Sequence, residues 1–245
     1  MNVIISNQRI VSLKRLLMIM AAIMMALVTF TACDDKNAKE DENGENGGGG
    51  GAAGKRLKGY EQTSSKPEHY LKTEWSYNSD GTLNRVNHYD KSSTLVQYVT
   101  YTNNSDGTPS KMVLHNGGYE TEYEYFYNPN KTLQKAQVSF AGNILVNIEY
   151  TFENGKKIRE VAKDNSGTVT QLFEYKYDNS GRRTTTTETD YSPPNTRQFT
   201  RTYNSDGTIQ KVTYAYGYGD NTLVTITFTW ENEKPPFDNE MFFCW

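Results

Sequence analysis

From about residue 55 onward, apolar and polar residues alternate in short segments. In Tyr123-Glu124-Tyr125-Phe126-Tyr127 the odd positions are aromatic, and glutamates occupy the even positions 120, 122 and 124. Because successive side chains of a strand point to opposite faces, one face would carry tyrosine and the other charge. The same alternation recurs in Ile148/Tyr150/Phe152, Phe173/Tyr175/Tyr177 and Ile226/Phe228/Trp230. The pattern predicts β-strands throughout this part of the chain.

An aromatic residue returns about every 25 positions, usually just before a turn sequence such as Asn78-Ser79-Asp80-Gly81. These marker aromatics are Tyr77, Tyr101, Tyr127, Phe152, Tyr177, Tyr203 and Trp230. Periods of 20–50 residues are typical of repeat architectures, and Asp-Gly between alternating segments is a hairpin signal. Each repeat is therefore predicted to be one hairpin, with the marker as its last inward side chain.

A pair of apolar residues tends to follow each marker, six and nine positions later. The pairs are Leu83/Val86, Leu133/Ala136, Ile158/Val161 and Ile209/Val212, and the second repeat has Pro109/Met112 displaced by two positions. An offset of three breaks strict alternation within a strand. A β-bulge beside the turn would bring both residues to the inner face.

Residues 55–232 thus predict an all-β domain, an antiparallel up-and-down meander of about 13 strands. Open sheets of that width usually curl or split, because strands twist. Curling would bury the aromatic face, so we expect an open barrel or a rolled single sheet.

The first 32 residues have the pattern of a secretory signal. Arg9, Lys14 and Arg15 precede a mostly apolar stretch at residues 16–30, which is short for a membrane span. Residues 33–54 are then acidic and glycine-rich, the composition of a disordered tether. At the other end, residues 233–245 make an aromatic tail, predicted either to dock over the edge of the curled sheet or to be an exposed remnant of a further domain.

The segment Phe30-Thr31-Ala32-Cys33 resembles the lipobox of bacterial lipoproteins. That resemblance implies cleavage before Cys33 and its lipidation, which makes the membrane a partner through the anchor. The acidic residues after Cys33 resemble the export signal of surface lipoproteins of Bacteroidota. They imply an outer-membrane lipoprotein exposed at the cell surface, with a periplasm-facing domain as the alternative. A plain signal peptide followed by an incidental cysteine is the other interpretation.

The turn sequence Tyr177-Asp178-Asn179-Ser180-Gly181-Arg182 resembles the YD repeat of Rhs-type proteins. The Tyr-Asn-Ser-Asp-Gly-Thr units that begin at Tyr77 and Tyr203 are similar to looser versions in Bacteroidota lipoproteins of unknown function. In Rhs proteins such repeats build a structural β shell without an active site. The repeats here are too few to enclose a separate domain, so that role does not transfer.

Charge and cysteine content narrow the classes of function. The chain has 26 Lys and Arg against 29 Asp and Glu, and removing a signal with three basic residues leaves a net charge of −6. An acidic domain disfavours nucleic acid as a partner. Lipidation of Cys33 leaves Cys244, so no intrachain disulfide is predicted; Cys244 is either an inert thiol or an intermolecular partner.

The sequence predicts no catalytic residues, metal site or cofactor. The three histidines (His69, His88 and His115) have no metal-ligand spacing, and the Asn-Ser-Asp-Gly turns lack the ligand pattern of a calcium loop. The glutamates Glu122, Glu124, Glu149 and Glu174 fall on the polar face of successive hairpins. A solubilising outer face explains them better than a glycosidase pair, which needs a carboxyl in a dry environment.

Two arginines break the aromatic face and mark a candidate binding site. Arg201 has the parity of that face, between Phe199 and Tyr203, and the fifth repeat replaces its apolar pair with Arg183 and Thr186. Arginines on a tyrosine-rich face can stack on rings and present donors to a sugar or an anion. The alternative is a sheet end where that face is already in water.

The leading hypothesis is a non-catalytic, surface-tethered binding or adhesion module whose tyrosine-rich surface binds glycan or protein. Aromatic side chains on rigid strands offer broad contacts at little entropic cost. The alternative is a structural subunit of an envelope-associated assembly. A hydrolase lacks a supporting constellation of residues.

Overall fold

The computed structural model describes residues 56–232; the predicted signal peptide at residues 1–32, Cys33, the tether at residues 33–54 and the aromatic tail at residues 233–245 lie outside this range. The described chain forms β1 (Arg56–Ser64), a short 3-10 helix (Pro67–His69), β2 (Leu71–Tyr77), β3 (Leu83–Tyr89), β4 (Leu95–Asn103), β5 (Pro109–Asn116), β6 (Tyr119–Tyr127), β7 (Leu133–Phe140), β8 (Asn143–Glu153), β9 (Lys156–Asp164), β10 (Val169–Tyr177), β11 (Arg183–Tyr191), β12 (Pro194–Tyr203), β13 (Ile209–Gly217) and β14 (Asp220–Glu231).

Every strand pairs antiparallel with its neighbours in sequence, and β1 also pairs with β14, so the sheet closes into a barrel. The predicted all-β antiparallel meander is confirmed. The structure has 14 strands, whereas the sequence predicted about 13. The barrel is closed, whereas the sequence predicted an open barrel or a rolled single sheet. Closure removes the exposed edges that would otherwise invite pairing with another chain.

The first strand approaches its neighbour β2 most closely at a glycine. Gly59 lies in β1, and a Cβ atom at this position would come within 2.2 Å of the carbonyl oxygen of Thr73 in β2. A side chain would therefore push β1 away from its neighbour. At the start of the same strand, Arg56 forms an ion pair with Glu231, the last residue of β14.

The two ends of the barrel differ. We call the end with the Asn-Ser-Asp-Gly turns the proximal mouth, because β1 begins and β14 ends there. The opposite end, the distal mouth, carries the connection through the 3-10 helix and six hairpin turns, from residues 90–94 to residues 218–219. Both ends of the described chain thus lie at the same mouth.

The expected bulges lie beside the proximal turns. The register shifts between Ser76 and Tyr77, so that Tyr77 pairs with Leu83. The shift brings Leu83 and Val86 to the interior, where both are buried. Equivalent shifts bury Leu133/Ala136 and Ile209/Val212.

Two repeats differ from the expected phase. The turn between β8 and β9 is the short Asn154-Gly155, and its bulge moves the inner positions one residue back. Lys157 and Glu160 therefore occupy the inner positions expected for Ile158 and Val161. In the second repeat, Asn103 rather than Tyr101 holds the place of the marker, because Asn103 pairs with Pro109 as Tyr77 pairs with Leu83.

Apolar and aromatic side chains collect inside the barrel, and charged side chains cover its outside. Tyr123, Phe199 and Met112 are among the fully buried residues. On the outer face, Lys111 pairs with Glu122 at 2.8 Å and Lys163 pairs with Glu149 at 2.6 Å, and these side chains are largely exposed. Between residues 56 and 232, no helix is long and apolar enough to cross a membrane.

The repeated turn is stabilised by its own side chains. In the first turn, Asp80 Oδ1 accepts hydrogen bonds from the backbone N of Thr82 at 2.9 Å and from its hydroxyl at 2.6 Å. Asn78 Nδ2 donates to the same hydroxyl, and Gly81 adopts a φ of 83°. The hydrogen bonds from Thr82 lower the pKa of Asp80. These contacts explain the Asn-Ser-Asp-Gly-Thr motif as turn chemistry.

Side chains at the marker position brace six of the seven repeats at the proximal mouth, and Phe152, the marker of the remaining repeat, has no donor. The hydroxyl of Tyr127 donates to the carbonyl of Pro109 at 2.7 Å, which ties the end of β6 to the start of β5. The same brace recurs as Tyr77 to Leu57, Asn103 to Leu83, Tyr177 to Lys157, Tyr203 to Arg183 and Trp230 to Ile209. The 25-residue period therefore corresponds to a recurring hydrogen bond as well as to a recurring inward ring.

We expect Tyr127→Phe to lower the free energy of unfolding by about 1 kcal/mol, because the variant keeps the ring and removes one hydrogen bond. Chemical denaturation of both proteins measures the change. Tyr119→Phe is the matched control, since Tyr119 is mostly exposed and should change stability by less than about 0.5 kcal/mol. Equal effects of the two substitutions would contradict the brace.

Candidate functional site

The four residues predicted as a binding site lie together inside the barrel, toward the proximal mouth. Phe199, Arg201 and Tyr203 point inward from alternate positions of β12, and Arg183 begins the neighbouring β11. The hydroxyl of Tyr203 donates to the carbonyl of Arg183 at 2.6 Å. Arg201 is only 5% exposed, so its side chain is not at a wetted sheet end.

Aromatic rings hold the cations of this region. The guanidinium carbon of Arg183 lies 4.5 Å from the ring centroid of Tyr175 and 6.0 Å from that of Tyr177. Lys157 contributes a third cation, with its Nζ 4.5 Å from the Tyr175 ring centroid. Sequence reasoning missed Lys157, because the short turn before β9 shifts the inner positions by one residue.

One carboxylate accompanies these three cations. Glu160 Oε2 lies 3.1 Å from Lys157 Nζ and accepts a hydrogen bond from the Tyr175 hydroxyl at 2.9 Å. We call Lys157, Glu160, Arg183 and Arg201 the basic cluster. All four residues are more than nine-tenths buried, and their formal charges sum to +2.

Arg201 is hydrogen-bonded through one of its two terminal nitrogens. Its Nη1 donates to the hydroxyl of Thr186 at 2.9 Å, while its Nη2 is buried without a hydrogen-bond partner among the described residues. Burial first, and then the charge of Arg183, lowers the pKa of Arg201 to about 9. Loss of hydration on burial is thus the main cause of the low pKa.

A second polar cluster lies inside the barrel toward the distal mouth. This acidic cluster consists of Gln171, Glu188, Asp190, Arg197 and Tyr218. Gln171 Nε2 donates to Glu188 Oε1 at 2.7 Å and to Asp190 Oδ1 at 2.8 Å. Arg197 Nη2 lies 2.7 Å from Glu188 Oε2, and the Tyr218 hydroxyl donates to Asp190.

Burial dominates the electrostatics of the acidic cluster. It raises the pKa of Glu188 to about 7, although the charge of Arg197 opposes the shift. Burial alone would lower the pKa of Arg197, but the charges of Glu188, Tyr218 and Asp190 raise it overall.

Sequence reasoning looked for a carboxylate pair on the wrong face. Glu122 and Glu149 are on the outside and pair with lysines, as a solubilising face requires. The buried pair is Glu188 and Asp190, which continue the inward alternation that Thr186 begins in β11. Extending the parity of Thr186 along this strand would have placed both carboxylates inside.

The histidines occupy packed positions rather than a metal site. His88 is fully buried, and its Nδ1 lies 2.9 Å from the hydroxyl of Thr73. His69 stacks on Tyr216 with ring centroids 3.9 Å apart, and His115 stacks on Tyr98 at 4.3 Å. No group of three His, Cys, Asp or Glu side chains suited to a metal ion occurs within the described range.

A third feature is a ring of exposed apolar side chains at the distal mouth, which we call the distal rim. Its members are Leu95, Val96, Tyr119, Ile144, Tyr191, Tyr218 and Leu223. They come from five of the seven distal connections, and Leu223 and Tyr119 are 62% and 59% exposed. All the large hydrophobic residues that are exposed within residues 56–232 lie at this end.

Fold and interior together define the chain as a closed antiparallel β-barrel. Its fold is similar to porin-like proteins from Bacteroides uniformis (14% identity, 71% of this chain and 98% of that chain, TM-score 0.45) and Bacteroides vulgatus (12% identity, the same coverage, TM-score 0.43). A Photorhabdus luminescens Tc holotoxin pore matches at 13% identity over 64% of this chain and 10% of that chain, with a TM-score of 0.31.

At these levels of similarity the solved structures carry no argument about function. No protein-family model matches the chain, and no curated protein matches it. The likeness to YD repeats therefore stays a prediction from the turn motif.

Proposed function

We propose that this chain is a non-catalytic binding module, anchored through lipidated Cys33 in the outer membrane and exposed at the cell surface, whose distal rim binds a protein partner. The observation that carries the proposal is the position of the distal rim relative to the chain ends. Exposed apolar side chains collect at one mouth, and β1 enters the barrel at the other.

This arrangement would present the distal rim away from the membrane. A lipid at Cys33 would be followed by the tether and then by Arg56 at the proximal mouth. With the disorder predicted from its composition, the tether would average roughly 25 Å from end to end. The barrel would thus be free to turn its far end toward a partner.

The chemistry of the distal rim favours protein over glycan. Leu95, Val96, Ile144 and Leu223 are aliphatic, and aliphatic groups gain by desolvation against another apolar surface. Tyr119, Tyr191 and Tyr218 add the amphipathic rings that are enriched at protein interfaces. Sugar rings stack on tyrosine as well, so glycan binding is the alternative that an experiment has to separate.

The state of the buried carboxylates supports a non-catalytic role. Glu188 and Asp190 both accept from Gln171, and Arg197 and Tyr218 contact the same pair. Groups engaged with one another in this way stabilise the barrel wall. Glu188 is fully buried and Asp190 nearly so, and neither carboxylate is therefore open to a substrate from solvent.

We expect a photo-crosslinking amino acid at Tyr119 or Leu223 to give a discrete covalent adduct on intact cells of the native bacterium. The same amino acid at Lys176 or Gln210, near the proximal mouth, should give none, because these positions lie at the opposite end of the barrel. Immunoblotting of the tagged protein measures the adducts. A rim variant with Leu95→Ser and Ile144→Ser should reduce the adduct without changing thermal stability.

Three other outcomes are informative. Equal adducts from both mouths would contradict a dedicated rim. A stoichiometric complex that survives detergent extraction would support the structural-subunit alternative. Binding on a glycan array that Tyr119→Ala abolishes would identify sugar as the ligand.

The anchor and the location have separate tests. We expect Cys33→Ala to release the protein from the membrane fraction, because the thiol is the proposed site of lipidation. Protease added to intact cells should remove the native domain from a surface-exposed protein and spare a periplasm-facing one. Membrane fractionation that does not depend on Cys33 would contradict the lipid anchor.

A further inference from the structure

One side of the outer barrel wall is almost free of charge. The outward positions 185, 187 and 189 of β11 are all threonine, and so are the outward positions 225, 227 and 229 of β14. We call the outer faces of β11, β12, β13 and β14 the threonine face. We infer that the threonine face binds a second copy of this chain, wall against wall, in a symmetric dimer. This surface is distinct from the distal rim, and the inference does not depend on the proposed function.

Charge separates the threonine face from the rest of the described wall. Away from the strand ends, Lys211 is the one charged side chain that points outward from β11–β14. Among β2–β10, every strand except β4 carries at least one outward charge, as Glu74, Lys111, Glu122 and Glu174 illustrate. Threonine favours a strand on any side of a barrel, so strand propensity does not explain the absence of charge from one side.

The threonines are also aligned across the strands. Thr185 of β11 pairs with Thr200 of β12, and Thr200 pairs with Thr213 of β13. Thr213 pairs in turn with Thr225 of β14, which pairs with Thr63 of β1. The side chains in this row are exposed or half-buried, and neighbouring strands are spaced by about 4.8 Å. Aligned side chains of equal size make an even surface on which another sheet can pack.

Threonine is suited to contact with its own copy. A two-fold interface brings the same patch together from both molecules, so each group has to be compatible with an identical group. A hydroxyl both donates and accepts a hydrogen bond, and a methyl group packs on a methyl group. Two lysines or two glutamates in such a contact would repel each other. With Lys211 as its one cation, the threonine face largely avoids this penalty.

The filled interior makes this wall broad. Barrels of about eight strands leave room only for side chains, whereas those of about 16–18 strands enclose a water channel. The barrel here has 14 strands, yet even small inward side chains such as Ala136, Val138 and Val224 are 0% exposed. Opposite walls therefore pack on each other, which flattens the barrel and gives its outside broad faces.

The threonine face is large enough for a weak dimer. Four strands spaced by about 4.8 Å, each with about eight residues that rise by about 3.3 Å, cover about 500 Å². Two copies would bury about 1,000 Å² in total, which is near the lower limit of specific interfaces. Threonine is also under-represented among the residues that dominate binding energy. We therefore expect a dissociation constant in the micromolar range.

Sedimentation equilibrium of the full-length Cys33→Ala protein, under reducing conditions, tests the inference without detergent. We expect a reversible equilibrium between monomer and dimer. Thr200→Lys combined with Thr227→Lys should weaken the dimer about tenfold or more, because four added cations would then lie in the contact. Both threonines are exposed, so the variant should keep the thermal stability of the native protein.

The matched control combines Gln134→Lys with Thr151→Lys. Both residues are exposed in β7 and β8, on the charged side of the wall. This variant adds the same charge away from the threonine face and should dimerise as the native protein does. The comparison separates an effect of position from an effect of net charge.

Crosslinking tests the same contact in the lipidated protein. In a Cys244→Ser background, Thr213→Cys should give a covalent dimer when isolated membranes are treated with a short bismaleimide. Thr213 lies on β13, within the threonine face. Glu149→Cys, on the charged side of the wall, should give no such dimer.

Three outcomes would overturn the inference. The first is a protein that sediments as a monomer at all concentrations up to about 1 mM. The second is an equal effect of the two pairs of lysine substitutions on association. The third is a dimer that persists with Thr200→Lys and Thr227→Lys but dissociates with Leu95→Ser and Ile144→Ser, which would place the contact at the distal rim.

Discussion

Replacing Glu160 with glutamine is expected to lower the free energy of unfolding by about 3–5 kcal/mol. Lys157 is 1% exposed and Glu160 is 3% exposed, so water cannot solvate the Lys157 ammonium in place of the lost carboxylate. The substitution keeps the shape of the side chain and an oxygen that can accept from Lys157 and Tyr175. The loss therefore reports the removal of a buried negative charge from beside Lys157.

Urea denaturation of the native and Glu160→Gln proteins measures this difference. Glu149→Gln is the matched control, because Glu149 forms an exposed pair with Lys163 and should change stability by less than about 1 kcal/mol. The double variant Lys157→Met with Glu160→Gln should recover part of the loss, since it removes both charges. A loss below about 1 kcal/mol in Glu160→Gln would mean that the rings and carbonyls already neutralise Lys157.

The second large effect is a pair of opposing pH dependences at His88 and Glu188. Burial lowers the pKa of His88 to about 4. Between about pH 4 and pH 6.5 this imidazole is therefore neutral in the folded state and protonated in the unfolded chain. The contribution of His88 is complete above about pH 6.5 and is lost as the pH falls to 4. The expected loss is about 3 kcal/mol.

Glu188 acts in the opposite direction. Burial raises its pKa to about 7, so the folded state keeps a proton that the unfolded chain has released above about 4.5. Stability from this group is present below about pH 4.5 and is lost as the pH rises to 7, again by about 3 kcal/mol. Between pH 4.5 and 6.5 the stability from His88 rises with pH while that from Glu188 falls, so the two changes nearly cancel in the native protein.

Single variants should expose the two slopes. In His88→Gln, the unfolding free energy should fall with rising pH across this window relative to the native protein. In Glu188→Gln it should fall with decreasing pH instead. Denaturation series at half-unit pH steps measure both slopes, and Glu149→Gln serves as the exposed control. Parallel pH profiles for the native protein and both variants would disprove these assignments.

The sequence predicted the hairpin meander well because its signals are local. Alternation fixes the inner face of a strand, and Asp-Gly fixes the turn, so the bulge that buries Leu83 and Val86 followed from an offset of three. The brace from Tyr127 to Pro109 was not foreseen. The repeat marks the aromatic position without stating what its hydroxyl contacts.

Local sequence signals could not predict that the first and last strands pair and close the barrel. The seam joins Arg56 and Glu231, which are 175 residues apart, and β1 carries no marker aromatic. Its connection to β2 is a 3-10 helix that begins at Pro67 rather than an Asp-Gly turn. Pairing of the first strand with the last depends on the accumulated twist of all the others.

The candidate site was foreseen in part. The parity of Arg201 and the position of Arg183 in the apolar pair placed both inside. Lys157 and Glu160 were missed because the inner positions of β9 are shifted by one residue. Because side chains alternate with a period of two, such a slip exchanges the inner and outer faces of a strand. The short turn Asn154-Gly155 was the visible signal for that slip.

The even number of strands sets how this fold can change in size. In an antiparallel meander the first and last strands pair antiparallel only when the count is even, as β1 and β14 do here. Gain or loss of one strand would make the seam parallel and move one chain end to the other mouth. Duplication or deletion of a whole hairpin keeps both. Evolutionary growth of this barrel should therefore proceed in steps of one repeat.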